Sequence, residues 1–262
     1  MTVDGAGRRV AIVTGAGTGI GAASALWLAE RRFDVVVNYN ASQEAAERTV
    51  ALCRQAGADA LALPGNVASD ADCIRMARTA EERWGRIDAL VNSAGTTRFA
   101  AMSDLGALDE KDFQRIFAVN AIGPYQMIRA VAPCMKRTGG AVVNVSSIAG
   151  VAGTGSSYAY AASKGALNTL TLALARNLAP EIRVNAVLPG MVEGRWLLEG
   201  LGTEAYEKTR TKFASDAALG RVATPAEIAD SIGWLIEAPG ITGQLVTVDS
   251  GLTLGRPPAV GK

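Results

Sequence analysis

The feature that most constrains the fold of this chain is a regular alternation of short apolar runs and helical segments along its 262 residues. The apolar runs are rich in Val, Ile, Ala and Leu and lack the period-two pattern of a half-exposed strand. Such continuous runs are typical of parallel strands that helices cover on both faces. The predicted strands span residues 10–14, 34–38, 60–63, 89–92, 141–145, 184–188 and 245–248.

The segments between these runs carry helical patterns, and Thr224 and Glu227 predict a capping box at the start of the last one. The alternation predicts an α/β fold, a Rossmann-type doubly wound parallel sheet of about seven strands between two helical layers. We expect one domain over residues 1–262. The predicted helices lie near residues 20–31, 43–56, 70–84, 110–136, 158–178 and 225–237.

Right-handed crossovers place the carboxyl ends of all strands at one edge of such a sheet, where ligands bind. Residues 190–223 hold no predicted strand and interrupt the alternation at that edge. We expect them to form a lid over the binding site. A surface excursion with a short packing helix is the alternative.

The composition narrows the function. The chain has no His, so no metal is expected and proton transfer must use another group. Its 26 basic and 25 acidic residues are mixed, and no long apolar run occurs, so neither nucleic-acid nor membrane binding is expected. Residues 1–9 lack a signal-peptide core, and three scattered Cys fit a reducing compartment, which predicts a cytoplasmic protein.

The first predicted strand runs into a turn in which Gly occupies every second position, from Gly15 to Gly21. Glycine lets the backbone approach a ligand closely, and the following helix offers free N–H groups and partial positive charge to a pyrophosphate. A Gly-rich turn without a ligand is the alternative. The expected dinucleotide contacts are Gly15, Gly17, Thr18, Gly19, Ile20 and Gly21.

The end of the second strand bears on the choice of dinucleotide. An acidic residue there would hold the ribose hydroxyls of NAD, but the chain has Tyr39, Asn40 and Ser42. Because a carboxylate would repel a 2′-phosphate, its absence favours NADP(H) over NAD(H), with Asn40 and Ser42 as hydrogen-bond donors. These residues also suit a turn and a helix N-cap, and no Arg or Lys stands among them.

A candidate set of catalytic side chains follows the strand at 141–145. Ser147 comes just after it, and Tyr160 and Lys164 stand four residues apart on one face of a predicted helix. We expect Lys164 to lower the Tyr160 pKa from its usual value near 10. Tyr160 then protonates an alkoxide, and Ser147 holds the substrate oxygen. A solvent-facing Tyr/Lys pair is the alternative. Tyr158 has no cationic residue four positions later, so we interpret it as a packing residue or as part of the pocket wall.

Together these residues resemble the short-chain dehydrogenase/reductase family. The turn from Thr14 to Gly21 is similar to its cofactor turn, Asn92-Ser93-Ala94-Gly95 to its Asn-Asn-Ala-Gly motif, and Pro189-Gly190 to the motif beside the nicotinamide. Thr242-Gly243-Gln244 and Val248-Asp249-Ser250-Gly251 resemble the family's C-terminal signature. Within the family the sequence most resembles 3-oxoacyl-acyl-carrier-protein reductases and sugar or steroid alcohol dehydrogenases.

The resemblance implies hydride transfer between a nicotinamide and a carbonyl or alcohol carbon of a small molecule. It implies that Tyr160 is the acid/base, that Lys164 binds the nicotinamide ribose, that Ser147 orients the substrate and that Asn120 anchors a relay water. It also implies a homotetramer or homodimer, with an interface on the helices near 110–136 and 158–178. Further cofactor contacts are implied for Asn66, Val67, Asn92, Ala94, Gly95, Pro189, Gly190 and Val192, and substrate contacts are expected for Ser147, Tyr160 and Trp196.

Three residues depart from the family's pattern. Thr18 replaces an Arg of many NADP-dependent members, and Asn66 replaces the Asp that contacts adenine, where an amide still donates and accepts. Gly194 replaces a Thr that holds the carboxamide, which leaves that contact to the backbone, Glu193 or Arg195.

The sequence is also compatible with other functions. One is an NAD-dependent sugar or steroid alcohol dehydrogenase, and another is a catalytically idle nucleotide-binding regulatory or scaffold protein, because fold does not fix function. An acyl-carrier partner would need a basic patch. Arg98, Arg195 and the Arg residues of 129–137 are candidates for it, and ordinary surface Arg is the alternative.

Overall fold

A computed structural model describes residues 7–255 of the chain. Its strands are β1 (Arg9–Thr14), β2 (Phe33–Tyr39), β3 (Ala60–Pro64), β4 (Ala89–Asn92), β5 (Gly140–Val145), β6 (Ile182–Pro189) and β7 (Leu245–Val248). Within these residues the strands form one parallel sheet in the order β3-β2-β1-β4-β5-β6-β7, which confirms the predicted Rossmann-type fold. The expectations for residues 1–6 and 256–262 lie outside the described residues.

The helices are α1 (Gly19–Glu30), α2 (Gln43–Gln55), α3 (Asp70–Trp84), α4 (Glu110–Phe117), α5 (Gly123–Thr138), α6 (Ala149–Ala152), α7 (Tyr158–Leu178), α8 (Arg195–Leu201), α9 (Thr203–Asp216) and α10 (Pro225–Glu237). The capping box predicted for α10 is confirmed. The Glu227 N–H donates to Thr224 Oγ1 at 3.3 Å, and the Thr224 N–H donates to Glu227 Oε2 at 2.9 Å. In the part of the chain that the structure describes, no helix is long and apolar enough to cross a bilayer.

Alternate residues of each central strand face opposite helical layers. On β1, Ala11 and Val13 belong to the core under α1, α2 and α10, whereas Ile12 packs with Met76 of α3 and Met127 of α5. All five of these side chains are fully buried. Because both faces of the sheet are covered, the strands have no polar side and read as continuous apolar runs.

The helix predicted over 110–136 is interrupted. Five residues, Ala118–Ile122, form a π-helical segment between α4 and α5. The Gly123 N–H donates to the carbonyl of Ala118, five residues back, and Pro124 brings no N–H to the regular ladder. The prediction of one continuous helix is therefore wrong at this point.

Residues 190–223 contain two helices, α8 and α9, and a single β-bridge between Val192 and Ala223. Their apolar contacts centre on a small cluster of Met191, Tyr206 and Val222, separate from the two cores of the sheet. No side chain of α8 is buried. The segment lies at the carboxyl edge of the sheet, beside the cavity described next.

Candidate active site

Loops at the carboxyl edge of the sheet enclose a cavity of about 700 Å³. It is lined by residues at or just after the ends of β1 to β6, by the end of α4 and the π-helical segment, and by the first turns of α7 and α8 together with Lys164. Most of the predicted site residues line this cavity. Gly21, Asn92 and Asn120 do not, and they lie behind the lining.

The turn after β1 needs glycine at two positions for different reasons. Gly15 has a φ of 63°, in the left-handed region, and a Cβ there would lie 2.8 Å from Ala94 Cα. A Cβ on Gly21 would lie 2.5 Å from the Gly15 carbonyl oxygen. Thr18, the N-cap residue of α1, makes no side-chain capping bond. The first N–H groups of α1 are therefore available to an anion.

Two buried polar side chains hold this turn in place. Thr14 Oγ1 accepts a hydrogen bond from the Ala94 N–H at 3.1 Å, which ties β1 to the loop after β4. Asn38 Oδ1 accepts from the Gly15 N–H at 3.3 Å, and its Nδ2 donates to the Gly65 carbonyl at 3.0 Å. Asn38 was not predicted as a site residue, although an amide inside an otherwise apolar run was a signal for it.

The loops after β2 and β3 bring together the residues expected at the adenosine end of a dinucleotide. Tyr39, Asn40, Ser42, Asn66 and Val67 all line the cavity. Ser42 is the N-cap of α2, but its side chain makes no capping bond, so the hydroxyl is available to a ligand. Asn66 Oδ1 accepts from the backbone N–H two residues on at 3.0 Å, which leaves its Nδ2 as a donor.

Tyr160, Lys164 and Ser147 converge where β5 ends. Ser157 caps α7 by accepting from the Tyr160 N–H at 3.3 Å, which sets Tyr160 in the first turn. Tyr160 is 9% exposed and Lys164 is 4% exposed. Lys164 Nζ donates to the Val145 carbonyl at 2.8 Å and lies 5.7 Å from the centroid of the Tyr160 ring. The three side chains expected to carry the proton chemistry thus lie together at the end of β5.

The pKa of Tyr160 differs from the expectation. Burial raises the pKa of Tyr160 to about 12, and its hydrogen bond with Ser147 opposes this rise. Burial also lowers the pKa of Lys164 to about 8. The expected depression of the Tyr160 pKa is not found, because loss of hydration outweighs the hydrogen bond with Ser147.

Asn120 and Asn92 support the lining from behind. Asn120 Nδ2 donates to the Thr96 carbonyl at 2.9 Å, and its Oδ1 accepts from the Thr96 N–H at 2.8 Å. Asn92 Nδ2 donates to Asn144 Oδ1 at 2.9 Å. Asn120 therefore holds the loop at Thr96, and Asn92 links the end of β4 to β5. The roles implied for them at the relay water and the cofactor stay predictions.

The loop after β6 forms the opposite wall of the cavity. Pro189, Gly190, Val192 and Trp196 line it, as expected. A Cβ on Gly190 would lie 2.8 Å from Asp249 Cβ, so this loop packs tightly on the residues that follow β7. The wall is fixed at its base and becomes more exposed towards α8.

Arg115 and Thr96 also line the cavity, although neither was predicted as a site residue. Arg115 Nη1 donates to Thr96 Oγ1 at 3.0 Å, and Nη2 lies 3.6 Å from Asp112 Oδ1. Nothing in the sequence marks this arginine, since it comes from a helix remote from the motifs.

Comparison with known proteins decides the family. The sequence model of a family described as enoyl-(acyl carrier protein) reductase matches residues 15–253. A solved Burkholderia xenovorans protein described as a short-chain dehydrogenase/reductase has 44% identity and a TM-score of 0.88, over 95% of this chain and 100% of that one. The chain belongs to the short-chain dehydrogenase/reductase family.

Other members of the family are similar over nearly their whole length. A Streptomyces violaceoruber protein named ketoacyl reductase 2 of the granaticin polyketide synthase is 38% identical over 97% of this chain and 100% of its own. A 3-oxoacyl-[acyl-carrier-protein] reductase of Synechocystis is 35% identical, over 94% and 97%. A solved 7α-hydroxysteroid dehydrogenase in complex with NADH and 7-oxo glycochenodeoxycholic acid is 29% identical, with a TM-score of 0.83 over 93% of each chain.

As a short-chain dehydrogenase/reductase, the protein is a hydride-transferring oxidoreductase that uses a nicotinamide cofactor. The described residues fit such a group. A side chain at Gly15 or Gly21 would disrupt the turn beneath the cavity, and the start of α1 offers uncapped N–H groups to a pyrophosphate.

Proposed function

We propose that this short-chain dehydrogenase/reductase is an NADP(H)-dependent ketone reductase or alcohol dehydrogenase in which Tyr160 moves the proton. The observation that carries the proposal is the shared burial of Tyr160 and Lys164 beside Ser147 at one end of a dinucleotide-sized cavity. The bound nicotinamide supplies or accepts the hydride.

The roles of the three side chains follow from their positions. The Ser147 hydroxyl, hydrogen-bonded to the Tyr160 phenol, orients the substrate oxygen towards it. Tyr160 donates its proton to that oxygen in reduction and accepts it in oxidation. Lys164 keeps a positive charge near the phenol and binds a ribose hydroxyl. With a pKa of about 8 it is still mostly charged at neutral pH. Asn120 acts as a positioning residue through the loop at Thr96.

The preference for NADP(H) rests on the loop after β2. Asn40 and the uncapped Ser42 hydroxyl offer donors to a 2′-phosphate, and none of Tyr39, Asn40, Ala41 and Ser42 carries a negative charge. The NADH named with the 7α-hydroxysteroid dehydrogenase keeps NAD(H) as the second candidate.

A free small molecule is favoured over a substrate carried on an acyl-carrier protein. The arginines that an acidic carrier would use are paired within the chain: Arg98 with Asp112, Arg129 with Asp70, Arg137 with Glu81 and Arg195 with Glu199. The two relatives named as ketoacyl or 3-oxoacyl reductases make the carrier-bound substrate the second candidate.

Two further features belong to the proposal. We expect a homotetramer or homodimer, because α4, α5 and α7 leave Phe113, Tyr125 and Leu172 at about 40% exposure. We expect a cytoplasmic location, because the three Cys are buried free thiols.

The decisive test compares Tyr160→Phe with Tyr158→Phe in NADPH oxidation by activated ketones and diketones, with NADH run in parallel. Loss of the proton donor should lower kcat/KM at least about 100-fold, while the affinity for NADPH stays unchanged. Tyr158 is the matched control, because its hydroxyl donates to the Met102 carbonyl and its side chain is exposed. Full turnover by Tyr160→Phe would refute the mechanism. Absence of turnover by the wild type with every substrate would instead indicate a catalytically idle scaffold.

A further inference from the structure

Aromatic side chains form a continuous wall beside Tyr160. The ring of Trp196, in the first turn of α8, has its centroid 5.8 Å from that of Tyr160 at an interplanar angle of 48°. Phe99, from the loop after β4, lies 6.2 Å from Trp196 at 53°. We call these three residues the aromatic wall. Tyr160 is buried, whereas Trp196 lines the cavity with 47% of its surface exposed.

The wall is held by backbone contacts. A Cβ on Gly200 would lie 2.0 Å from Phe99 Cε2, so the Phe99 ring lies directly against the backbone of α8. Met102 packs against the cluster that contains Tyr160. Leu197 and Leu201 attach α8 to the cluster around Tyr206, and the contact of Gly200 with Phe99 is a second attachment on the side of Trp196.

The wall presents ring surface rather than free charge. Arg195 and Glu199 of α8 pair with each other at 3.0 Å, and Arg98, next to Phe99, pairs with Asp112. A half-exposed indole at a cavity leaves apolar area in water, which a flat apolar group would cover. Tilted or offset ring contacts add affinity beyond the area that they bury.

On the basis of the function proposed above, we propose that the substrate carries an aryl or other flat conjugated group next to the reacting carbonyl. This group packs on Trp196 while the carbonyl oxygen meets Tyr160 and Ser147. Trp196 is then the residue that sets specificity, and Phe99 is a positioning residue that keeps the indole in place. The reaction is the hydride and proton transfer already described, so no further reactant is required.

The test uses two diketones with the same carbon skeleton, 1-phenyl-1,2-propanedione with a flat ring conjugated to the carbonyl and 1-cyclohexyl-1,2-propanedione with a saturated one. For each enzyme form the measured quantity is the ratio of the two kcat/KM values at saturating NADPH, which cancels intrinsic reactivity between variants. Trp196→Ala should lower this phenyl-to-cyclohexyl ratio about 3- to 10-fold. Phe99→Ala should lower it about 2- to 3-fold, and Trp196→Phe should retain most of it.

Leu198→Ala is the matched control, because Leu198 lies on α8 with 37% exposure and does not line the cavity. Its ratio should equal that of the wild type. An unchanged ratio in Trp196→Ala overturns the inference, as does a higher KM for NADPH with the ratio unchanged, which would assign the indole to the cofactor. Turnover of neither diketone by the wild type overturns the proposed function as well, so the two failures are distinguishable.

Discussion

The turn after β1 and the segment around α8 face the same cavity but are built differently. The turn is braced by Thr14 and Asn38, and a side chain at Gly21 would collide with backbone atoms. α8 lies between Gly194 and Gly202, and a Cβ at either glycine would meet nothing within 4 Å. The turn is fixed by close backbone packing, whereas α8 is held by its partly buried Leu197 and Leu201 and by the contact with Phe99.

This difference matches the ligands on the two sides. The adenosine and pyrophosphate groups of a dinucleotide do not change in the reaction, so a rigid turn binds them with little ordering cost. The substrate must enter and leave at each turnover, which suits a lightly held segment. We therefore expect a Gly→Ala substitution to weaken NADPH binding in the turn, but to weaken ketone binding around α8.

The largest effect is expected for Gly21→Ala. The new methyl group would lie 2.5 Å from the Gly15 carbonyl oxygen and 2.9 Å from its carbon, and backbone atoms in a braced turn cannot move aside cheaply. The free energy of unfolding should fall by about 3 kcal/mol. The affinity for NADPH should fall roughly 100-fold as the turn is displaced. Urea unfolding and NADPH fluorescence titration measure the two quantities.

Gly240→Ala is a suitable control, because a Cβ at Gly240 meets nothing within 4 Å and its φ is not in the left-handed region. It should bind NADPH as the wild type does. Normal NADPH affinity in Gly21→Ala would show that the turn can rearrange around the new methyl group. The proposed difference in rigidity between the turn and α8 would then be wrong.

The second effect concerns charge in the loop after β2. Asn40→Asp places a carboxylate where the proposed 2′-phosphate binds, so the ratio of kcat/KM for NADPH to that for NADH should fall roughly 30-fold through repulsion. Asn40→Ala removes only a hydrogen bond and should change the ratio about 3-fold. A wild type that prefers NADH, or an Asp variant with an unaltered ratio, would contradict the proposed preference.

The rigid region was also the more predictable one. The strands were found to within about two residues at each end, because an apolar run between helices has few other structures available. The convergence of Ser147, Tyr160 and Lys164 followed from strand ends meeting at one edge of the sheet. The direction of a buried amide did not follow. Asn120 turns towards the loop at Thr96, and Asn92 turns towards Asn144 on the neighbouring strand.

Around α8 the sequence predicted less. The exposed side chains of α8 and the weak apolar pattern of α9 gave no clear helical period, so neither helix was delimited and a short packing helix was only the alternative. Contacts between remote segments carry no local signal, and this applies to Phe99 on Gly200 and to Arg115 at Thr96. The Tyr160 pKa was missed for a related reason, because desolvation depends on packing that no spacing of residues encodes.

The smallest effect, and the one that separates the two regions most directly, is expected for Gly202→Ala. Gly202 has a φ of 79° and a ψ of 161°, a conformation that costs an Ala residue about 1–3 kcal/mol. Because α8 buries no side chain, local rearrangement should relieve most of this strain, and the free energy of unfolding should fall by less than about 1 kcal/mol. Displacement of Trp196 should raise the KM for the ketone about 5-fold with the NADPH affinity unchanged. A loss of NADPH affinity comparable to that of Gly21→Ala would mean that α8 and the turn respond as one unit.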